Sequence, residues 1–311
     1  MIEFFSPPLL TAFLVAALAS AIPLMLAAVG ETVGEQSGML NIGLEGILLV
    51  GGYFGFVGAL WTGSFWIGFL CGVLAGVALS VLMMVLCVWL GVNQIVVGVG
   101  LTLAGTGISS LLYEAHFAAS SPRLGRDTPW RIPFLADIPV IGPSVFSQPG
   151  MFTVAILILI LTSVWMYRTT PGLRLRAAGQ RPATLDALGG NVTRIRSLAV
   201  LFGGAMSGLG GAYLALISAG TFTPGMTPRL GFLAIVVAML ARGRFVWVAI
   251  IALGYGLLVA AGTALQLSRI DIPIDVVHIA PFVVALIVIA LFARRSSLPA
   301  ALATPYVRGS R

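Results

Sequence analysis

The chain has 311 residues, of which 59% are hydrophobic and 9% charged, and a formal net charge of +7. At a mean hydropathy of +1.07, a water-soluble domain would lack the polar surface to cover itself, so the composition excludes a soluble protein and points to one embedded in lipid. All 17 basic residues are arginine; they lie beside apolar runs rather than in a stripe with exposed aromatics, which excludes nucleic acid as a partner, and without a lysine no phosphate-cradling loop exists to hydrolyse ATP.

The N-terminus, MIEFFSPPLL, lacks the positive start of a secretory signal, and Leu9 to Val29 is long enough to be a retained first span. The next stretch, Gly30 to Leu60, is apolar from Met39 onward yet holds Asn41 and Glu45. Four apart, they share a face if the segment is helical, and a carboxylate near mid-bilayer costs about 2.5 to 3.5 kcal/mol. That face therefore turns to a wet path or pairs with a neighbouring helix. Glu31 and Glu35 read as interfacial. The glycines of this stretch predict a broken or re-entrant piece, tolerated at depth only where it lines a cavity or is buried in protein.

Phe65 to Leu90 carries Gly68, Gly72 and Gly76 at four-residue steps, and Gly51 with Gly55 and Gly204 with Gly208 repeat the spacing. Small residues so placed let helix backbones approach closely in lipid. Cys71 and Cys87 fall in the same apolar run and read as small hydrophobes. In Asn93 to Tyr113, the residues Gln94, Gly98, Thr102 and Thr106 draw a polar stripe down one face. Its hydroxyls serve either a solute or interhelical hydrogen bonds. His116 and His278 are far apart, no metalloprotease, dithiol or nucleophile-elbow motif occurs, and no cofactor or metal is expected.

The proline-rich connection 114–150 balances its charges, whereas the connection 168–197 sets six arginines against the single acid Asp186. By the positive-inside rule the first is external and the second cytoplasmic. Within the second, Pro182 suits a first helical turn, Ala183 to Leu188 favour helix, and Gly189-Gly190 would end it. Met151 to Tyr167 joins the two connections. Leu198 to Ser218, the short Leu230 to Leu240, Val246 to Leu267 and Val276 to Ala293 follow, before a tail with Arg294, Arg295, Arg308 and Arg311 that places the C-terminus inside. The reading is one all-α transmembrane domain over residues 1–311, a polytopic bundle of eight to ten spans.

Three blocks carry a family resemblance: GEQSGMLNIGLEGILLVGGYFG, TTPGLRLRAAGQRPATLDALGGNV and TFTPGMTPRLGFLAIVVAML. The chain resembles permease subunits of bacterial ABC importers in the ribose, nucleoside and branched-chain amino acid group, of the simple-sugar or nucleoside type. The resemblance implies a type II importer fold in the bacterial plasma membrane. It also implies a separate ATP-binding subunit, a second permease subunit that favours a heterodimer over a homodimer, an extracytoplasmic solute-binding lipoprotein and surrounding membrane lipid. A short coupling helix to the ATPase matches Arg181 to Gly190, with Arg174, Arg176, Gly179, Arg181, Pro182, Asp186 and Gly189 as coupling residues. The substrate-path candidates are Asn41, Glu45, Gln94, Thr102 and Thr106, for a small neutral solute such as a nucleoside or simple sugar. The chain is then no enzyme itself. The alternative readings are an ion-coupled secondary transporter, for which Glu45 is the one fair relay, and an intramembrane enzyme, for which no residue pair stands out.

Overall fold

Backbone amides in lipid have no water to bond, so an apolar chain satisfies them segment by segment as helices. The chain does this in a computed structural model that describes residues 7–117, 120, 122–125, 127–131, 138–267, 279, 282–284 and 298–306. Seven of its helices are long and apolar enough to cross a bilayer. They are α1 (Pro7–Ser37), α2 (Leu44–Thr62), α3 (Phe65–Met83, continued by a π-helical turn to Trp89), α4 (Gln94–Phe117), α6 (Gly150–Arg168), α9 (Val192–Tyr213, continued by a π-helical turn to Ser218) and α11 (Phe245–Leu267). A shorter apolar helix, α10 (Leu230–Ala241), lies between the last two, and α5 (Ile141–Val145), α7 (Thr170–Gln180) and α8 (Pro182–Ala187) are shorter helices among the described residues. The expected Val276 to Ala293 span lies largely outside the described residues, as do Arg294, Arg295, Arg308 and Arg311.

Helices α2 and α9 are the most enclosed, and α1 packs against α9 and α11. The outer helices turn leucines outward, with Leu103 69% and Leu161 65% exposed, which suits hydrocarbon and not water. At the centre the predicted glycine pairs interlock. A Cβ on Gly51 would stand 2.6 Å from the Gly208 carbonyl oxygen, and one on Gly76 would stand 2.8 Å from the Gly208 Cα. Three backbones, α2, α3 and α9, thus touch along a seam that no side chain separates. Cys87 is buried with its thiol 3.7 Å from the Met83 sulfur, and both cysteines are free.

Three boundaries and one connection differ from the sequence expectation. Helix α1 does not stop near Val29 but continues to Ser37, so Glu31 and Glu35 are 1% exposed instead of interfacial. Helix α4 runs on to Phe117, which shortens the proline-rich connection at its start. That connection contains a small antiparallel pair, β1 (Pro129–Arg131) with β2 (Ser147–Pro149), in which Trp130 faces Gln148. The arginine-rich connection is mostly helical: α7 is capped by the Thr169 hydroxyl accepting from the Gly172 amide, and α9 starts at Val192, its cap the Asn191 side chain accepting from the Arg194 amide.

Candidate functional site

The glycine-rich stretch after α1 is a true interruption: Gly38 takes a φ of +92°, and helix resumes only at Leu44. Exposed backbone groups at this depth need partners, and they come from α1, from α4 and from the break itself. The Leu40 amide donates to the Gln94 side-chain oxygen at 2.7 Å and the Asn41 amide to the Glu31 carboxylate at 3.0 Å. The Gly43 amide donates to the Asn41 side-chain oxygen at 2.9 Å, and the Thr102 hydroxyl donates to the Ile42 carbonyl at 3.1 Å. Helix α4 sits this close because its facing residues are glycines: a Cβ on Gly98 would be 2.8 Å from the Ile42 Cβ.

Four of the five expected path residues therefore converge on the break or its margin. Asn41 and Glu45 do not share a helical face, because Asn41 lies in the break and Glu45 in the first turn of α2. Gln94 and Thr102 grip the break from α4. Thr106 bonds within its own helix, to the Thr102 carbonyl at 2.8 Å, and does not reach the break. Two buried polar atoms here, Glu35 Oε1 and Asn41 Nδ2, have no hydrogen-bond partner among the described residues.

Glu45 turns the other way. Its carboxylate accepts from the Thr227 hydroxyl at 2.7 Å, the Arg229 amide at 3.1 Å and the Gly231 amide at 2.7 Å. These amides open α10, whose Arg229 cap residue adopts a left-handed φ of 61° and whose own side chain makes no cap bond. A carboxylate borrowed from α2 thus serves as the N-cap of α10, where the helix dipole favours negative charge. Three donors offset the cost of burying it. Gly231 permits the approach, since its Cβ would lie 2.7 Å from the Glu45 Cα. Thr227 is itself 1% exposed.

The expected coupling residues divide into two groups. Arg174, Arg181 and Gly189 are exposed at the end of the bundle. Pro182 opens α8, Asp186 lies in its last turn, and Gly189 leaves it with a φ of +80°. Leu188 beside them is 82% exposed. Arg176 instead stacks over the Tyr167 ring at 5.0 Å. Gly179 is buried: a Cβ there would be 3.0 Å from the Gly38 amide nitrogen, so α7 rests on the break itself.

Arg196 was grouped with the solvated basic connection but is 2% exposed. It donates to the Ser37 carbonyl at 3.2 Å, the Thr304 carbonyl at 2.8 Å, and the Ala178 and Ala301 carbonyls at 3.5 Å each. The amides of Ala301 and Ala303 add bonds to the Gly179 and Gly38 carbonyls. One guanidinium thereby ties the end of α1, the end of α7 and the segment 298–306 together. The signal was present in the sequence: Val192, Arg196, Ala199, Val200 and Gly203 fall on one face of a helix that begins before Leu198.

Apolar spans around a helix broken inside the bundle, with a helical arginine-rich hairpin resting on the break, define a multi-pass membrane transport protein. The sequence profile of the family described as Branched-chain amino acid transport system / permease component matches residues 13–295, and the chain belongs to that family. It is 32% identical over 298 residues to the nucleoside ABC transporter permease protein NupC of Lactococcus lactis, covering 92% of this chain and 93% of that one. It is also 32% identical over 314 residues to the guanosine ABC transporter permease protein NupQ of Bacillus subtilis, with coverage of 95% and 96%. The glucose ABC transporter permease protein TsgB13 of Haloferax volcanii is 26% identical over 303 residues, with coverage of 88% and 74%. No solved structure matches the chain at a significant level.

The protein is thus the permease subunit of an ABC importer, a multi-pass protein of the plasma membrane. Transport is its task, ATP hydrolysis belongs to a separate ATP-binding subunit, and a solute-binding protein is the other partner of such systems. The ion-coupled alternative is set aside with that membership.

Proposed function

We propose that this permease lines half of the path for a nucleoside or a simple sugar, and that the break between α1 and α2 is where ATP-driven motion reaches that path. The relatives' names supply the solute class. Both classes are uncharged and rich in hydroxyls, which suits a path formed by an amide, two threonine hydroxyls and the unpartnered atoms Asn41 Nδ2 and Glu35 Oε1. In this reading Gln94, Thr102 and Glu45 hold the shape of the wall, and Asn41 and Thr106 face the solute.

The observation that carries the mechanism is the seating of Gly179 on Gly38. The short helix α8, with Arg174, Arg176, Arg181, Pro182, Asp186 and Gly189 around it, presents to the ATP-binding subunit. A push on α8 passes through α7 to the break, and the spans rock about the path. The arginine-rich end and the C-terminus are cytoplasmic, the connection 114–150 faces the solute-binding lipoprotein, and a second, different permease supplies the other half of the path.

Reconstitution of the permeases with the ATP-binding subunit and binding protein in vesicles tests this. Guanosine or glucose should accumulate, saturably, when ATP is supplied to the face bearing α8. Accumulation of neither overturns the solute class, and accumulation without the ATP-binding subunit overturns the coupling.

A further inference from the structure

At the arginine-rich end of the bundle, α6, α7, α8 and α9 enclose a groove of about 1060 Å³. Its mouth holds Arg174 and Arg194, both exposed, and among the described residues no acidic side chain lines it. Its floor is apolar, formed by Leu161 and Trp165 of α6 with Leu198 and Phe202 of α9. Leu161 lies about two helical turns above Arg168, and Phe202 about three turns above Asn191. Both helices are of spanning length, so the groove begins at the interface and runs into the hydrocarbon.

The occupant must be anionic at one end and apolar at the other. A water-soluble subunit can cover the arginine mouth but cannot follow the floor into lipid, while a zwitterionic lipid brings its own cation beside the phosphate and so leaves the charge of two guanidiniums unbalanced. We propose that the groove seats an anionic phospholipid, its phosphate between Arg174 and Arg194 and an acyl chain along Leu161, Leu198 and Phe202. Basic recesses between spanning helices select such headgroups, and guanidinium pairs phosphate with two parallel bonds. The N-terminal dipole of α9 adds positive potential at the same point, since its cap residue Asn191 and Arg194 both line the groove. Trp165 stands where interfacial aromatics stand.

Leu188 and Gly189, at the end of α8, line the same groove. The lipid therefore fills the space between the spans and the coupling helix, and an anionic leaflet stiffens that joint. The inference rests on α6 and α9 spanning the bilayer, takes Arg174 as a headgroup contact in place of a contact to the ATP-binding subunit, and is independent of which solute moves.

Trp165 is a built-in reporter. The assembled transporter is placed in phosphatidylcholine vesicles containing a minor fraction of phosphatidylglycerol, with brominated, fluorescence-quenching chains carried by one lipid or the other at equal amount. Comparison with Trp165→Phe isolates the signal of this tryptophan. Brominated phosphatidylglycerol should quench it at least about fivefold more than brominated phosphatidylcholine, and Arg174→Gln with Arg194→Gln should bring the ratio to about one. Equal quenching by the two lipids in the unmodified chain overturns the proposal, as does no quenching by either, which would mean that protein covers the groove. A preference that survives the double variant overturns the assigned headgroup contacts. If that variant fails to assemble, the ratio in the unmodified chain decides alone.

Discussion

The carboxylate of Glu45 accepts a hydrogen bond from the hydroxyl of Thr227 at 2.7 Å, across 182 positions of sequence. The blocks LNIGLEG and TFTPGMT, far apart in the chain, are thus two halves of one joint that fixes α10 against α2. Removing one partner leaves a buried polar group unmatched, which costs about 1 to 3 kcal/mol. Thr227→Val and Glu45→Ala should each lower the melting temperature of the purified protein, Glu45→Ala more because three donors lose their acceptor. The double variant should fall short of the summed effects; strict additivity would show that the joint contributes nothing.

The glycine seam predicts a contrast within one residue type. Gly208→Ala places a methyl against the backbone of Gly76, whose Cα and N stand 3.0 and 3.1 Å from the added Cβ, whereas Gly100→Ala meets nothing within 4 Å. Overpacking costs about 1 to 3 kcal/mol. Gel filtration of detergent-solubilised protein should show Gly208→Ala losing its monodisperse peak on mild heating while Gly100→Ala behaves as the parent. Equal behaviour would remove the seam as a source of stability.

Gly189 ends α8 with a φ of +80° and open space around its Cα, so Gly189→Ala tests backbone conformation without a clash. A left-handed alanine costs about 1 to 2 kcal/mol. The turn should relax, tilting α8. Uptake should then fall about tenfold while membrane insertion is unchanged and the ATP-binding subunit still hydrolyses ATP. Unimpaired uptake would separate α8 from coupling.

Arg196 gathers four carbonyls from three segments. Bonds to a charged donor contribute about 1.5 to 3 kcal/mol each, less the cost of desolvating the guanidinium. Arg196→Gln should release residues 298–306 from α7, detectable as faster proteolysis of that segment, and should reduce uptake more than Arg194→Gln does. Arg196→Lys, a single point charge, should restore only part of either, since it cannot span Ser37 and Thr304 together.

Most of the architecture was legible without coordinates because lipid imposes one strong rule, that long apolar segments become helices, and because glycines at four-residue steps have few uses other than close packing. That a glycine-broken piece lies somewhere within Gly30 to Leu60, though not where it falls, and that a short helix starts at Pro182 and ends at glycine were readable for the same local reasons. What stayed hidden was direction. Asn41 and Glu45 are polar residues four apart in an apolar run, and nothing local says that helix begins only between them or that their side chains part, that of Asn41 toward the Gly43 amide and that of Glu45 toward Thr227. Arg196 looked like its solvated neighbours because charge alone does not reveal that the carbonyls of Ser37, Ala178 and Thr304 wait around it. Composition and spacing determined by themselves that this chain lives in the membrane as packed helices and relies on another subunit for ATP. Only the tertiary structure decided which buried polar groups answer one another, since a hydrogen bond between distant residues depends on where whole helices come to rest.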